Sequence, residues 1–132
     1  MVVAALVAVN AFGGIDVDGT AARGAPAVLA ELADRAARAA SDGAVDEAGP
    51  PTFGNTTVGV VATNARLDKN GCLLLAQSAH DGLARAVFPA HSRVDGDAFV
   101  AAATGAVDAD LDRLRVLVVA VVHQAIIGLG AG

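Results

Sequence analysis

The chain contains no tryptophan and no tyrosine, and only four phenylalanines. A core built without large rings has to close by tight packing of small residues, and alanine, valine and glycine are abundant here. Basic charge is also scarce: nine Lys and Arg stand against fourteen Asp and Glu, a net charge of −5. That leaves no electrostatic footprint for nucleic acid. A single cysteine, Cys72, excludes an internal disulfide, and no Cys/His spacing resembles a metal site, so neither a metal nor another cofactor is implied. A cytoplasmic setting is expected. Long membrane-type apolar runs are missing too. Residues 1–9 are apolar but lack a basic leader and an Ala-x-Ala exit. Residues 116–132 are short for a span and are interrupted by His123 and Gln124.

The 132 residues suit one domain with a sizeable core. Buried strands alternate with amphipathic helices along the chain. Residues 2–9 form a continuous Val/Ala/Leu run, expected to be a strand covered on both faces. Residues 15–18 form a short alternating piece. A helix is predicted over 26–40, with Pro26 in its first turn and Val28, Leu29, Leu32, Ala33 and Ala36 on one face. An acidic and then Pro/Gly-rich linker follows over 41–55. Further predictions are a strand over 56–63, a helix over 69–87, a strand over 98–103 and a last helix. Asp108 is the expected cap of that helix, with Asp110 and Asp112 in its first turn.

The most informative stretch is Gly54-Asn55-Thr56-Thr57-Val58-Gly59-Val60-Val61. A β-branched run starts abruptly at Thr56, directly behind Gly49-Pro50-Pro51-Thr52-Phe53-Gly54-Asn55. This is the layout of a hydrolase that cuts itself to expose an N-terminal nucleophile. Cleavage between Asn55 and Thr56 leaves one residue carrying a hydroxyl and a free α-amine, which titrates near ~8 and can serve as the local base. Asn-Thr behind Pro and Gly is also an ordinary loop-to-strand junction, so the junction does not decide by itself.

Several blocks in order do more. The stretch from Asn55 to Ala65 resembles the processing site of one self-cleaving family: the L-aminopeptidase/D-esterases, the β-peptidyl aminopeptidases and the nylon-oligomer (6-aminohexanoate-oligomer) endohydrolases. Leu75-Ala76-Gln77-Ser78-Ala79-His80-Asp81-Gly82-Leu83-Ala84-Arg85-Ala86 agrees with that family in order and spacing. So does Pro89-Ala90-His91 followed by Asp95-Gly96-Asp97. Val7-Ala8-Val9-Asn10-Ala11-Phe12-Gly13 is similar to the strand and turn upstream of the processing site.

The resemblance implies an α+β fold, an α-β-β-α sandwich of two sheets between helices, present here in part. It divides the chain into 1–55, the end of the family's α-portion, and 56–132, a β-portion opening with the nucleophile. Thr56 is the implied nucleophile, released by cleavage after Asn55. Asp95 and Asp97 are implied as the carboxylate network around it, and Asn10 as an oxyanion donor. The implied substrate is a peptide or ω-amino-acid amide. Asp-Gly-Asp is also a common turn, and Asn10 also suits a turn. His80, His123 and Cys72 are read as structural residues. Family precursors are longer, so the chain is expected to be a weak enzyme alone, to form a homo-oligomer, or to need the missing N-terminal portion. Two alternatives stand beside the hydrolase: a non-catalytic subunit, and an acyl transferase similar to ornithine acetyltransferase.

Overall fold

The computed structural model describes residues 1–20, 55–93 and 95–130, with positions 26, 27, 29, 30, 33 and 34 between them. The elements in order are β1 (Val3–Asn10), β2 (Gly14–Ile15), β3 (Thr56–Ala65), α1 (Lys69–Ala86), β4 (Val87–Phe88), β5 (Ala98–Val107) and α2 (Leu111–Ile127). Pro26, Ala27, Leu29, Ala30, Ala33 and Asp34 are helical, as expected; the rest of the predicted 26–40 helix, and the linker up to Gly54, lie outside the described residues.

One sheet carries the fold, with strand order β1-β3-β5. β1 runs antiparallel to β3, and β5 runs parallel to it. A parallel neighbour needs a crossover, and α1 supplies it. β2 and β4 form a separate two-residue antiparallel pair, Gly14 with Phe88 and Ile15 with Val87. Mixed α and β content is therefore as expected from the sequence.

Helix ends are set by local chemistry. Asp68 caps α1, its side chain accepting from Gly71 N–H at 2.7 Å. Val87 turns extended and ends that helix one residue before the predicted boundary. Asp110, not Asp108, caps α2, accepting from Arg113 N–H at 2.8 Å. β5 runs on to Val107, so the chain needs residues 108 and 109 to turn, and Asp108 instead pairs with Arg66 at 3.0 Å. β5 outlasts its predicted end at 103 because Gly105 takes a φ of 76°, letting the strand pass an irregularity and re-pair Val107 with Ala65.

Period-two alternation decides which side of the sheet is covered. Along β3, Thr57, Gly59, Val61, Thr63 and Ala65 are buried beneath the helices. Val61, Leu75, Leu83, Leu114, Val118, Val122 and Ile126 form the centre of the core. The other face holds Leu6, Val60 and Val100 side by side on one rung, exposed by 78, 44 and 60%. β1 was expected to be covered on both faces. Among the described residues both long helices pack on one side, and this apolar rung stays open. No helix of the described residues is long and apolar enough to cross a membrane.

The two helices meet closely at Gly82. A Cβ there would lie 2.8 Å from Val122 Cβ and 2.9 Å from the Val119 carbonyl oxygen. Glycine to alanine inside a helix ordinarily gains up to ~1 kcal/mol. At this position overpacking reverses the sign, and Gly82→Ala is expected to cost ~1–3 kcal/mol. Urea denaturation measures it; an unchanged or raised midpoint means that the helices separate freely here.

Candidate active site around Thr56

β3 opens with Thr56, and the last residue of β1, Asn10, stands directly opposite it in the antiparallel register. Opposed residues project to the same face with Cβ atoms about 5 Å apart. That face is the open side of the sheet. Just ahead of the strand, Asn55 forms a parallel bridge with Asp95.

The Asn55 carbonyl is held by two donors. Gly96 N–H donates to it at 2.9 Å, and the Thr56 hydroxyl donates to it at 2.7 Å. Donors on both sides of one carbonyl oxygen draw electron density from its carbon. Glycine favours this approach at 96, since a Cβ there would lie 3.0 Å from Thr56 Oγ1, a tight contact that the hydroxyl would have to yield to.

The two carboxylates hold the flanks. Asp95 Oδ1 accepts from Phe12 N–H at 3.0 Å, two residues beyond Asn10. Its Oδ2 accepts from the Ser92 amide at 2.9 Å and from the Ser92 hydroxyl at 2.6 Å. Burial pushes the Asp95 carboxyl up, but the Ser92 hydroxyl, the Phe12 and Ser92 amides and the charge of His91 outweigh it, leaving the group below its usual value of 3.8. Asp97 Oδ1 accepts from Thr57 N–H at 2.8 Å, and its Oδ2 lies 2.8 Å from His91 Nδ1. Behind His91, the His80 ring stands 5.0 Å away and makes an edge contact with Phe99, also at 5.0 Å. Burial lowers the His80 pKa from 6.5, the charge of His91 lowers it further, and Asp97 and Asp81 oppose the shift.

Asn10, Asn55, Thr56, Asp95 and Asp97, far apart in sequence, thus gather at one end of the sheet. The carboxylates reach Thr56 through its neighbours: the hydroxyl proton goes to the Asn55 carbonyl, and the acids hold the backbone at positions 12 and 57. Residue-type reasoning assigned no role to Gly96, His91 or Ser92. The signal for Gly96 was available in its place between two acids. His91 takes its part only through a fold that sets its ring against Asp97. His80 is a half-buried packing residue, and Cys72 is half-buried on α1. His123 lines a shallow groove with Arg85 and Gln124, on α1 and α2. Among the described residues no group of three or more His, Cys, Asp or Glu is placed to hold a metal ion.

The model of peptidase family S58 matches residues 1–128. An uncharacterized aminopeptidase of Mycobacterium leprae is 56% identical over 55 residues, covering 42% of this chain and 15% of that protein. Uncharacterized aminopeptidases of Mycobacterium bovis and Mycobacterium tuberculosis are each 55% identical over 53 residues, covering 40% of this chain and 15% of theirs. The chain therefore matches a small part of the length of these curated relatives.

Two of the shifted groups, His80 and Asp95, make stability fall in acid. His80 has its pKa depressed by folding, so the unfolded chain takes up a proton first as pH drops below 6.5, and stability declines there. Asp95 is also depressed; its contribution is full above 3.8 and disappears as pH falls through the lower folded value. Denaturant midpoints measured from pH 8 to 3 should show both declines. His80→Phe should remove the one near neutrality and leave the acidic one to Asp95; a profile unchanged by His80→Phe contradicts the assignment.

Proposed function

Because the chain belongs to peptidase family S58, we propose that it carries the self-cleavage junction of a peptidase precursor, with Thr56 as nucleophile and the Asn55-Thr56 peptide as the bond cut. The observation that carries this reading is the Asn55 carbonyl held between Gly96 N–H and the hydroxyl of the next residue.

In the proposed reaction Thr56 Oγ1 attacks the Asn55 carbonyl carbon. Its proton passes to the Thr56 nitrogen as the C–N bond breaks. Negative charge develops on the Asn55 oxygen, where the Gly96 N–H already points. The acyl group then sits on Oγ1 as an ester, and water hydrolyses it, leaving an Asn55 carboxylate and a free Thr56 amine. The products are residues 1–55 and 56–132. From then on the amine serves as base for the hydroxyl, and Thr56 Oγ1 attacks a substrate peptide or ω-amino-acid amide, forming an acyl-enzyme. Asn10, opposite Thr56 on the open face, is suited to donate to the substrate oxyanion. Asp95 and Asp97 hold the two strand ends that define this gap. An N-terminal peptidase activity accords with the aminopeptidase names of the mycobacterial relatives. A cytoplasmic location forms part of the proposal and rests on the single cysteine.

The open rung of Leu6, Val60 and Val100 supports a partner-dependent form of the same reading. Thr56 lies at the rim of that uncovered face, and acyl transfer depends on exclusion of water and on fixed geometry. The chain by itself is then a slow enzyme, and it reaches full activity as an oligomer or with a second polypeptide covering the sheet.

Intact-mass measurement after incubation tests the first part. Masses for residues 1–55 and 56–132 are expected from the wild type and from Thr56→Ser, none from Thr56→Ala, and from Gly96→Ala a rate lower by about 10- to 100-fold because its Cβ displaces Oγ1. A Thr56→Ala protein that still splits at this bond refutes the nucleophile.

Light scattering tests the second part. The wild type should self-associate, and Leu6→Thr combined with Val100→Thr should lower its mean mass. Amino-acid amides and 6-aminohexanoate oligomers serve as substrates. Rapid turnover by a monomer removes the need for a partner.

A further inference from the structure

The Asp97 side chain is 4% exposed. Such a group is costly to bury unless both oxygens are matched. Here Oδ1 takes the Thr57 amide and Oδ2 takes His91, each at 2.8 Å. The Thr57 hydroxyl is buried and has no hydrogen-bond partner among the described residues, so it is the amide of Thr57 that Asp97 holds. The carboxylate therefore grips the backbone immediately after the nucleophile.

His91 is placed for this contact at a cost. Its φ is 55°, in the left-handed region that non-glycine residues seldom occupy. Strain of this kind persists where surrounding contacts over-determine it. Asp97 on one side and the His80 ring on the other supply those contacts. The charged and titratable groups around His91 are Asp97 and Asp95 from the loop before β5 and His80 from α1, with Asp81 acting on His80. An ordinary surface ion pair has two solvated partners; this one has an enclosed carboxylate with its second oxygen on the main chain.

We propose that His91 is a positioning residue for the nucleophile: its Nδ1–H orients Asp97, and Asp97 fixes the Thr57 amide so that Thr56 Oγ1 stays on the Asn55 carbonyl. This rests on the reading of Thr56 as nucleophile. His91 touches neither the scissile bond nor the substrate, and acts only through the carboxylate.

Two near-isosteric replacements isolate the donor. Asparagine and aspartate both tolerate the left-handed backbone. His91→Asn keeps an N–H donor close to the position of Nδ1, whereas His91→Asp puts a second carboxylate there. Two readouts are taken on the 132-residue chain: amide hydrogen exchange at Thr57 by NMR, and the rate of cleavage by intact mass. His91→Asn should retain most of both. His91→Asp should lower Thr57 protection about tenfold or more and slow cleavage comparably, the loss expected for one charge-assisted hydrogen bond. Adding Asp97→Asn to His91→Asp should restore Thr57 protection, because the amide nitrogen at 97 then donates to the carboxylate at 91. Unchanged Thr57 protection in His91→Asp, or equal damage from both single variants, overturns the proposal. If the wild type does not cleave, the nucleophile reading fails, and the exchange data still decide whether His91 holds Thr57.

Discussion

The contact on which the site depends is the hydrogen bond from Gly96 N–H to the Asn55 carbonyl at 2.9 Å. It joins the residue before β3 to the loop before β5, as a continuation of the parallel pairing between those strands. Once this bond is made, Thr56 is placed at the sheet end, its hydroxyl meets the same carbonyl, and Asn10 faces it from β1. A shift of one residue in the register of β3 would turn Thr56 toward the helices and bring Thr57 to the open face. The buried set from Thr57 to Ala65 opposes that slip, because Val61 and Ala65 belong to the core. Hydrophobic burial under two helices thus determines which hydroxyl faces the open side of the sheet.

The acids serve this arrangement by gripping main chain. Asp95 binds the Phe12 amide and the Ser92 amide and hydroxyl, and Asp97 binds the Thr57 amide and His91. Fixing donors and acceptors ahead of the reaction is a large part of how acyl-transfer sites work, since nothing then has to reorganise as charge develops. The two histidines lie on the helix side of the same cluster, and His80 stays neutral to lower pH because it is partly buried and faces the charge of His91.

Much of this was legible from residue order. The periodicity of α1 and α2 and a β-branched strand opening at Thr56 follow from local rules. Asn10, Asn55, Thr56, Asp95 and Asp97 were named together from family resemblance and not from spacing; the structure brings them to one end of the sheet. The misses have physical causes. Asp108 was the expected cap, but the capping residue is the one left extended after the strand ends, and the strand continues past Gly105 to Val107. Residues 2–9 were read as covered on both faces because an apolar run does not say which side is filled. That depends on where α1 and α2 return.

The sequence by itself determined the inventory: an Asn55-Thr56 junction at the head of a β-branched strand, a glycine between two carboxylates, and amphipathic stripes of small residues able to pack tightly. These are properties of neighbours along the chain, and local sterics and hydrogen bonding settle them. Tertiary structure alone decided the contacts that give the inventory its chemistry. It set Gly96 N–H on the Asn55 oxygen, Asp97 on the Thr57 amide, and His91 in a left-handed backbone against Asp97. Each of these joins residues whose meeting depends on strand register and on a helix crossover, and those are fixed only when the common core beneath Val61, Leu83 and Val122 has closed.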